Sequence, residues 1–454
     1  MNEELKPDLC IIGAGAGGAA LASAAAAVGL SVVLVEKGRM GGADLHAGSV
    51  PAHALAAAAR AGLDFEALRA RVRRVVEDES RNVSRERFEA MRVRVINASG
   101  RFVSPRVLEA GPFNIRARRF VLATGSGVAT PPIAGIELVR CLTTEDVFDL
   151  KRLPQRLLVL GAGPVGLGLA QTFRRLGCEV TVVDSAALLP GVDPELSGIV
   201  RDRMRREGIA IHDVTRIERF EPLPSGVRAL LASGGFLDAD ELLIATPRAA
   251  NAGGLGLEAA GVAFSRKGVT VDAALRTTNK RIHAIGDVTG HDPSGFSARH
   301  QAGIALRAGL FRLPARFDPA AAPRVVWTDP GIATVGLDEA AAREKHGTIR
   351  VLRAPFAENV QARAAGNPDG HVKIITDRKG VLLGAGIVGP QAAEQIGLWQ
   401  VALAQRMNVT EIATLALPSP TLLEASQRAA LGAFAEKLRN PWLGRLLALL
   451  RLRG

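Results

Sequence analysis

An α/β chain with two glycine-turned βαβ units and a smaller α+β domain at the end is predicted by three observations. Gly13-Ala14-Gly15-Ala16-Gly17-Gly18 follows a short apolar run and opens an Ala-rich one. Gly161-Ala162-Gly163-Pro164-Val165-Gly166 repeats the arrangement about one domain later. Beyond a Pro/Ala-rich linker at 314–323, apolar runs at 325–327, 372–375 and 382–388 read as an antiparallel sheet with helices.

The elements follow in order. Residues 8–12 read as a buried parallel strand, 16–28 as a helix and 31–35 as a second strand ending in Glu36. The glycines permit the tight turn, close backbone approach to a pyrophosphate and close helix–strand packing. The helix N-terminus favours an anion, and Glu36 is placed to accept hydrogen bonds from a ribose. Residues 156–160, a helix through 173 and residues 179–183, ending in Asp184, repeat the unit. Asp184, with no Arg or Lys at 185–188, suits a free 2′-hydroxyl and so NAD over NADP. Further strands end at 120–126 and 282–287.

At 454 residues the chain holds several domains with buried cores. Apolar residues at 48% and charged ones at 22% describe a globular protein, and tyrosine is absent. The net charge of +12 raises nucleic acid and anionic membranes as partners. Arginines are scattered rather than blocked with aromatics, which favours a basic protein for anionic cofactors and argues against nucleic acid. Cys10, Cys141 and Cys178 show no metal-ligand or CxxC spacing; Cys10 and Cys178 read as buried thiols, and a reducing cytoplasm is expected. Residues 9–35 carry no charge but are broken by five glycines, so they are read as strand, turn, helix and strand and not as a membrane span. Residues 438–454 form a basic, Leu-rich amphipathic tail with Pro441, Arg445 and Arg451. It suits either the inner face of a membrane or the chain's own dimer.

With these residues in hand, the chain resembles the pyridine nucleotide–disulfide oxidoreductases, the group of dihydrolipoamide dehydrogenase, glutathione reductase and mercuric reductase. The matching residues are both fingerprints, Ala123-Thr124-Gly125-Ser126, Arg248 and Asn251 of a GRxPN-like turn, Gly286-Asp287, residues 328–336 and residues 383–390. The resemblance implies two Rossmann-like dinucleotide-binding domains, for FAD and NAD, plus a C-terminal α+β dimerisation domain. The implied boundaries are 1–150 for FAD, 151–270 for NAD, 271–322 for the FAD return, 323–437 for the interface and 438–454 for the tail. It further implies a homodimer, with FAD on Gly13, Gly15, Gly18, Glu36, Lys37, Gly42, His53, Thr124, Gly125, Gly286 and Asp287. NAD is expected on Gly161, Gly163, Gly166, Asp184 and Arg248.

The departures bear on chemistry. The family's redox helix reads GGTCxNxGCxPSKAL, and its two cysteines fall here on Asp44 and Ser49. Its lysine falls on His53, its tyrosine over the flavin on Pro164, the glutamate partner of that lysine on Gly168, and the glycine of the GR turn on Pro247. The C-terminal acid/base motif survives as residues 418–424, with Ser419 at the histidine position and Glu424 retained. Thiol chemistry needs a thiolate and a proton carrier, and neither is present. The expected activity is therefore FAD-dependent NADH oxidation with delivery to a small-molecule, non-thiol acceptor, a quinone being the leading candidate. Transhydrogenation, or a catalytically retired dimeric flavoprotein acting as a scaffold, are the alternatives. Asp44, His46, Ser49 and Glu424 are the candidate catalytic residues. Asp44 and His46 either relay protons or serve structure, and Glu424 is either an acid/base remnant or an interface carboxylate.

Overall fold

The computed structural model describes residues 3–290 and 295–438. The tail expected at 438–454 lies almost wholly outside the described residues. Compactness divides the chain into two units, Met1–Gly161 with Arg175–Val183 and Thr215–Pro319, and Ala162–Arg174 with Asp184–Val214 and Ala320–Gly454. These units cut across the expected 151–270 segment: its strands Arg156–Leu160 and Glu179–Val183 fall in the first unit, while most of helix Pro164–Arg175 falls in the second.

In the first unit, strand Leu9–Ile12 is buried along its length and lies parallel to Val32–Glu36 on one side and Arg119–Leu122 on the other. Ile282–Ala284 extends the sheet beyond Arg119–Leu122, and Val93–Asn97 extends it beyond Val32–Glu36. Strands buried on both faces read as unbroken apolar runs, which is why LCII and VVLV stand out in the sequence. Helix Ala16–Ala27 crosses between them, its small side chains bringing it close to helix Gly295–Ala305. A second parallel set pairs Arg156–Leu160 with Glu179–Val183 and with Glu241–Ile244. A mixed four-stranded sheet, the antiparallel meander Ile217–Leu223, Gly226–Leu231 and Phe236–Ala239, and two short antiparallel pairs also belong to this unit.

The second unit carries a five-stranded antiparallel sheet, Arg324–Val326, Gly331–Gly336, Leu382–Gly389, His371–Thr376 and Arg350–Pro355 in spatial order. Helices Ala392–Ala404 and Leu423–Leu438 pack on it. Trp399 is fully buried there, and its indole N–H donates to Ser426 Oγ at 3.1 Å. This is the separate α+β domain that the alternating runs predict. Among the described residues no helix is long and apolar enough to cross a membrane.

Candidate functional site

Stereochemistry shapes the first glycine turn. Gly13 has φ +104, and a Cβ on it would run into the Ala123 carbonyl. A Cβ on Gly18 would strike the Gly13 carbonyl, so both positions hold the strand and helix Ala16–Ala27 at backbone contact. Around Gly15 the space is open: its Cβ would meet nothing within 4 Å. Glu36 closes the turn, Oε2 accepting from the Ala14 N–H at 2.7 Å and Oε1 from the Gly38 N–H at 2.7 Å. Gly42, φ +61, lies against it, and a Cβ there would approach Gly15 Cα to 2.9 Å. Lys37 follows the strand, exposed. An open cradle at a helix N-terminus, walled by backbone and flanked by a carboxylate, fits the diphosphate and ribose of FAD.

Asp287 stands on the short helical turn Gly286–Thr289 of the same unit. Ser126 Oγ donates to its carboxylate at 2.6 Å, and Arg248 Nε donates to Ser126 Oγ at 3.0 Å. The Arg248 guanidinium also bonds the Ser126 carbonyl at 2.8 Å and Thr144 Oγ1 at 3.1 Å. Arg248 is thus placed one hydroxyl away from Asp287. Thr124 and Asn251 lock together through Thr124 Oγ1 to the Asn251 carbonyl at 2.8 Å and Asn251 Nδ2 to the Thr124 carbonyl at 2.9 Å. Gly125, φ +69, faces open space between these groups.

Residues 41–55 form two helices, Gly42–His46 and Ser49–Arg60. Ser49 Oγ donates to Asp44 Oδ1, so the two positions matched to the family's cysteines are joined by a hydrogen bond. Arg299 approaches Asp44 Oδ2 at 3.6 Å, and a Cβ on Gly295 would collide with that carboxylate. Asp44 therefore sits at the start of helix Gly295–Ala305 with a cation and a hydroxyl beside it, a favourable place for an anion. His46 is not part of this group. Its Nε2 is 2.8 Å from the Met40 carbonyl, and its buried Nδ1 has no partner. Burial lowers its pKa against the raising effect of the Met40 bond, with Arg39 lowering it further, so a neutral ring donating from Nε2 fits the site. Of the two roles the sequence left open, an Asp44–His46 relay is not formed by a direct bond. His53 lies one turn into its helix, with Nδ1 2.6 Å from the Ser49 carbonyl.

The second glycine turn repeats the first. Gly161 has φ +122, its Cβ would lie 2.5 Å from the Ala245 carbonyl, and Gly163 opens on free space. Gly166 is buried in helix Pro164–Arg175. Asp184 Oδ2 accepts from the Ala162 N–H at 2.7 Å and Oδ1 from the Ala186 N–H at 2.8 Å. In the second unit, Glu424 accepts from the Thr421 N–H at 3.0 Å, and a hydrogen bond from Ser419 is the main cause that lowers its pKa. Glu424 keeps a partner at the position matched to the family's histidine, but a hydroxyl, not an imidazole.

Sequence reasoning missed the groups recruited from far along the chain. Lys373, 3% exposed, bonds Asp193 at 2.6 Å, Glu195 at 2.7 Å and Glu339 at 2.9 Å. Burial alone would lower its pKa, but the three carboxylates outweigh that and raise it. Arg353 holds Glu195 at about 2, well below its ordinary range. Arg299 and the pair Arg201–Asp213 were likewise unmarked, since no local spacing announces them.

Two glycine turns closed by carboxylates, the carboxylate of Asp287 on a short helical turn and a separate sheet domain are the build of an FAD- and NAD(P)-linked oxidoreductase. The chain belongs to the pyridine nucleotide-disulphide oxidoreductases, matching that family over residues 7–309 and its dimerisation domain over residues 322–430. It is 35% identical to a mercuric reductase of Streptomyces lividans, over 93% of this chain and 95% of the relative. A dihydrolipoyl dehydrogenase of Thermus scotoductus is 33% identical, over 93% and 96%. Among solved structures, the Cu(II) complex of the HOCl-induced flavoprotein disulfide reductase RclA from Escherichia coli superposes with a TM-score of 0.86 at 27% identity, covering 92% of this chain and 98% of that one. LpdA from Mycobacterium tuberculosis gives 0.86 at 26%, covering 94% and 99%. The family's members use FAD and NAD(P), and this chain is an FAD/NAD-dependent oxidoreductase carrying the family's dimerisation domain.

Proposed function

We propose that the protein oxidises NADH through bound FAD and delivers the electrons to a non-thiol acceptor, a quinone, without a redox disulfide. The observation that carries this reading is the Asp44–Ser49 hydrogen bond at the two positions matched to the family's cysteines. Neither residue can attack a disulfide or form one. No other thiol stands in for them. Cys10 is fully buried, with its thiol pKa pushed up by burial; Cys178 is buried; and Cys141 is also raised by burial.

Bound FAD supplies hydride acceptance from the nicotinamide and electron delivery to the second substrate. The chain's part is to bind and orient. Glu36 and the open face of Gly15 hold the adenosine diphosphate end, and Asp287, steadied by Ser126 and Arg248, holds the ribityl chain. Asp184 receives the NADH ribose. Ser49 and the half-exposed Arg299 offer polar donors to an acceptor's carbonyl oxygens, while Asp44 fixes both. The segments 1–150 with 271–322, 151–270 and 323–437 are assigned to FAD, NAD and the interface.

The test is anaerobic mixing of the full-length yellow protein with NADH, followed by menadione, lipoamide, oxidised glutathione or mercuric ion. Flavin bleaching by NADH and recolouring by menadione alone is the expected result. Absence of bleaching, or turnover with lipoamide, would overturn the reading.

A further inference from the structure

The loop that follows strand Glu179–Val183 carries Asp184, and it is held from behind by residues 212–214. The Asp184 N–H donates to the His212 carbonyl at 3.1 Å, the Leu188 N–H to Asp213 Oδ2 at 3.1 Å, and the Val214 N–H to the Ala186 carbonyl at 3.1 Å. The loop also returns to the glycine turn, the Leu189 N–H donating to the Ala162 carbonyl at 3.0 Å. Leu189 and Val214 adopt φ +51 and +54. A β-branched side chain rarely takes that conformation, and here Val214 does so while 74% exposed. Strain of this kind persists only where the surroundings over-determine the backbone. The adenosine loop is therefore preformed.

Into the same stretch reaches Arg201, from helix Pro194–Arg206. Its guanidinium meets the Asp213 carboxylate with both arms, at 2.8 and 2.5 Å, and the two side chains are 26% and 13% exposed. Asp213 thus binds Arg201 and the loop backbone at once. A bidentate arginine is the side chain best suited to a phosphate dianion. Here it is placed one carboxylate away from the loop that selects between a ribose 2′-hydroxyl and a 2′-phosphate, and its fork is already filled.

We propose that the Arg201–Asp213 pair is a nucleotide-selectivity device: Asp213 sequesters Arg201, so the site takes a 2′-hydroxyl nucleotide and refuses a 2′-phosphorylated one. This rests on the reading of Asp184 as the ribose acceptor. It adds that refusal comes from two carboxylates, Asp184 repelling the phosphate directly and Asp213 neutralising the cation that would otherwise receive it. Freed of Asp213, Arg201 becomes a phosphate ligand.

The experiment is calorimetric titration of the full-length flavoprotein with ADP-ribose and with 2′-phospho-ADP-ribose, which bind without reducing the flavin. Wild type is expected to favour ADP-ribose. In Asp213→Asn the 2′-phospho ligand gains about tenfold or more relative to ADP-ribose, the scale of a charge-assisted bidentate contact. Asp213→Asn/Arg201→Gln loses that gain. An unmoved ratio in Asp213→Asn, or a gain that survives in the double variant, overturns the proposal while leaving the NADH reading intact. Failure of wild type to bind ADP-ribose overturns the NADH reading itself. Should Asp213→Asn not fold, Arg201→Gln alone decides. It must leave the ratio of the two ligands unmoved, and a selective loss of the 2′-phospho ligand contradicts sequestration.

Discussion

In the first nucleotide fold a glutamate, Glu36, closes the glycine turn on the Ala14 N–H; in the second an aspartate, Asp184, closes it on the Ala162 N–H. Both bonds measure 2.7 Å and both span 22 residues. The first glycine of each turn has a positive φ and abuts the carbonyl just past the end of a strand, and the second opens on free space. What differs is the backing. The first turn leans on residues 41–42, and the helix it opens is of alanine and glycine, close enough to helix Gly295–Ala305 that a Cβ on Gly17 would come to 3.2 Å of Ala298. The helix after the second turn uses polar ties: Gln171, 4% exposed, accepts from the Asp329 N–H at 2.8 Å and donates to the Asp329 carbonyl at 2.7 Å. The shape of each turn is therefore a local, stereochemical property, whereas its backing comes from residues recruited across the chain.

The comparison breaks most severely at the first glycine of each turn. Gly13→Val is expected to abolish flavin binding, whereas Gly161→Val is expected to leave the flavin in place and abolish NADH binding. The ratio of flavin to protein absorbance and an NADH titration separate the two. Loss of flavin in both would mean that the turns are not independent.

Next in size is Lys373. Replacing it with Met leaves Asp193, Glu195 and Glu339 gathered without their cation at the start of helix Pro194–Arg206. A loss of about 3 kcal/mol is expected, within the range for breaking a buried pair. Denaturant unfolding followed by intrinsic fluorescence measures it. Among the described residues the first fold shows no such ion cluster, so Gly13-turn flavin retention at low denaturant should change little.

The two folds also differ in their response to acid. His283, 1% exposed on strand Ile282–Ala284 of the first sheet, has its pKa pushed down to about 4, mainly by burial and then by Arg119 and Arg276. Below the ordinary histidine value the unfolded chain takes up a proton that the folded chain refuses. Stability should then fall as the pH drops from about 6.5 to 4, by up to about 3 kcal/mol. His283→Asn should flatten that part of the pH profile, and an unchanged slope would place its origin elsewhere.

The smallest expected energetic effect is the most diagnostic chemically. Asp44→Cys/Ser49→Cys should fold with near-normal stability, because the two side chains already touch. Anaerobic dithionite titration should then show a further electron pair taken up per flavin. Uptake equal to that of the wild type would mean that the two positions cannot close a disulfide.

Much of this arrangement was legible in the sequence where structure is written locally. The parallel strands stood out because burial on both faces leaves continuous apolar runs, and strands Arg156–Leu160 and Glu179–Val183 fall on the expected residues. The glycine turns stood out because only glycine tolerates their backbone. The strands Glu3–Leu5, Val107–Ala110 and Phe113–Ile115 were missed, being three or four residues long and interrupted by Glu or Asn. Helix Phe65–Asn82 buries only Leu68 and Val72, too thin a stripe to announce a period. At the site, positions 44 and 49 could be named in advance but not the bond between them, nor the approach of Arg299. The Lys373 cluster draws on residues as far apart as 193 and 373, and such contacts leave no trace in spacing.

The Asp44–Ser49 link has a consequence for the company this protein can keep. A paired-cysteine site is soft: it captures mercury or copper, is alkylated by electrophiles and climbs the oxidation ladder under hypochlorite or peroxide. A carboxylate bonded to a hydroxyl is hard, binds such metals weakly and has no sulfur to oxidise. The bonded pair Asp44 and Ser49 offers such reagents no sulfur to attack.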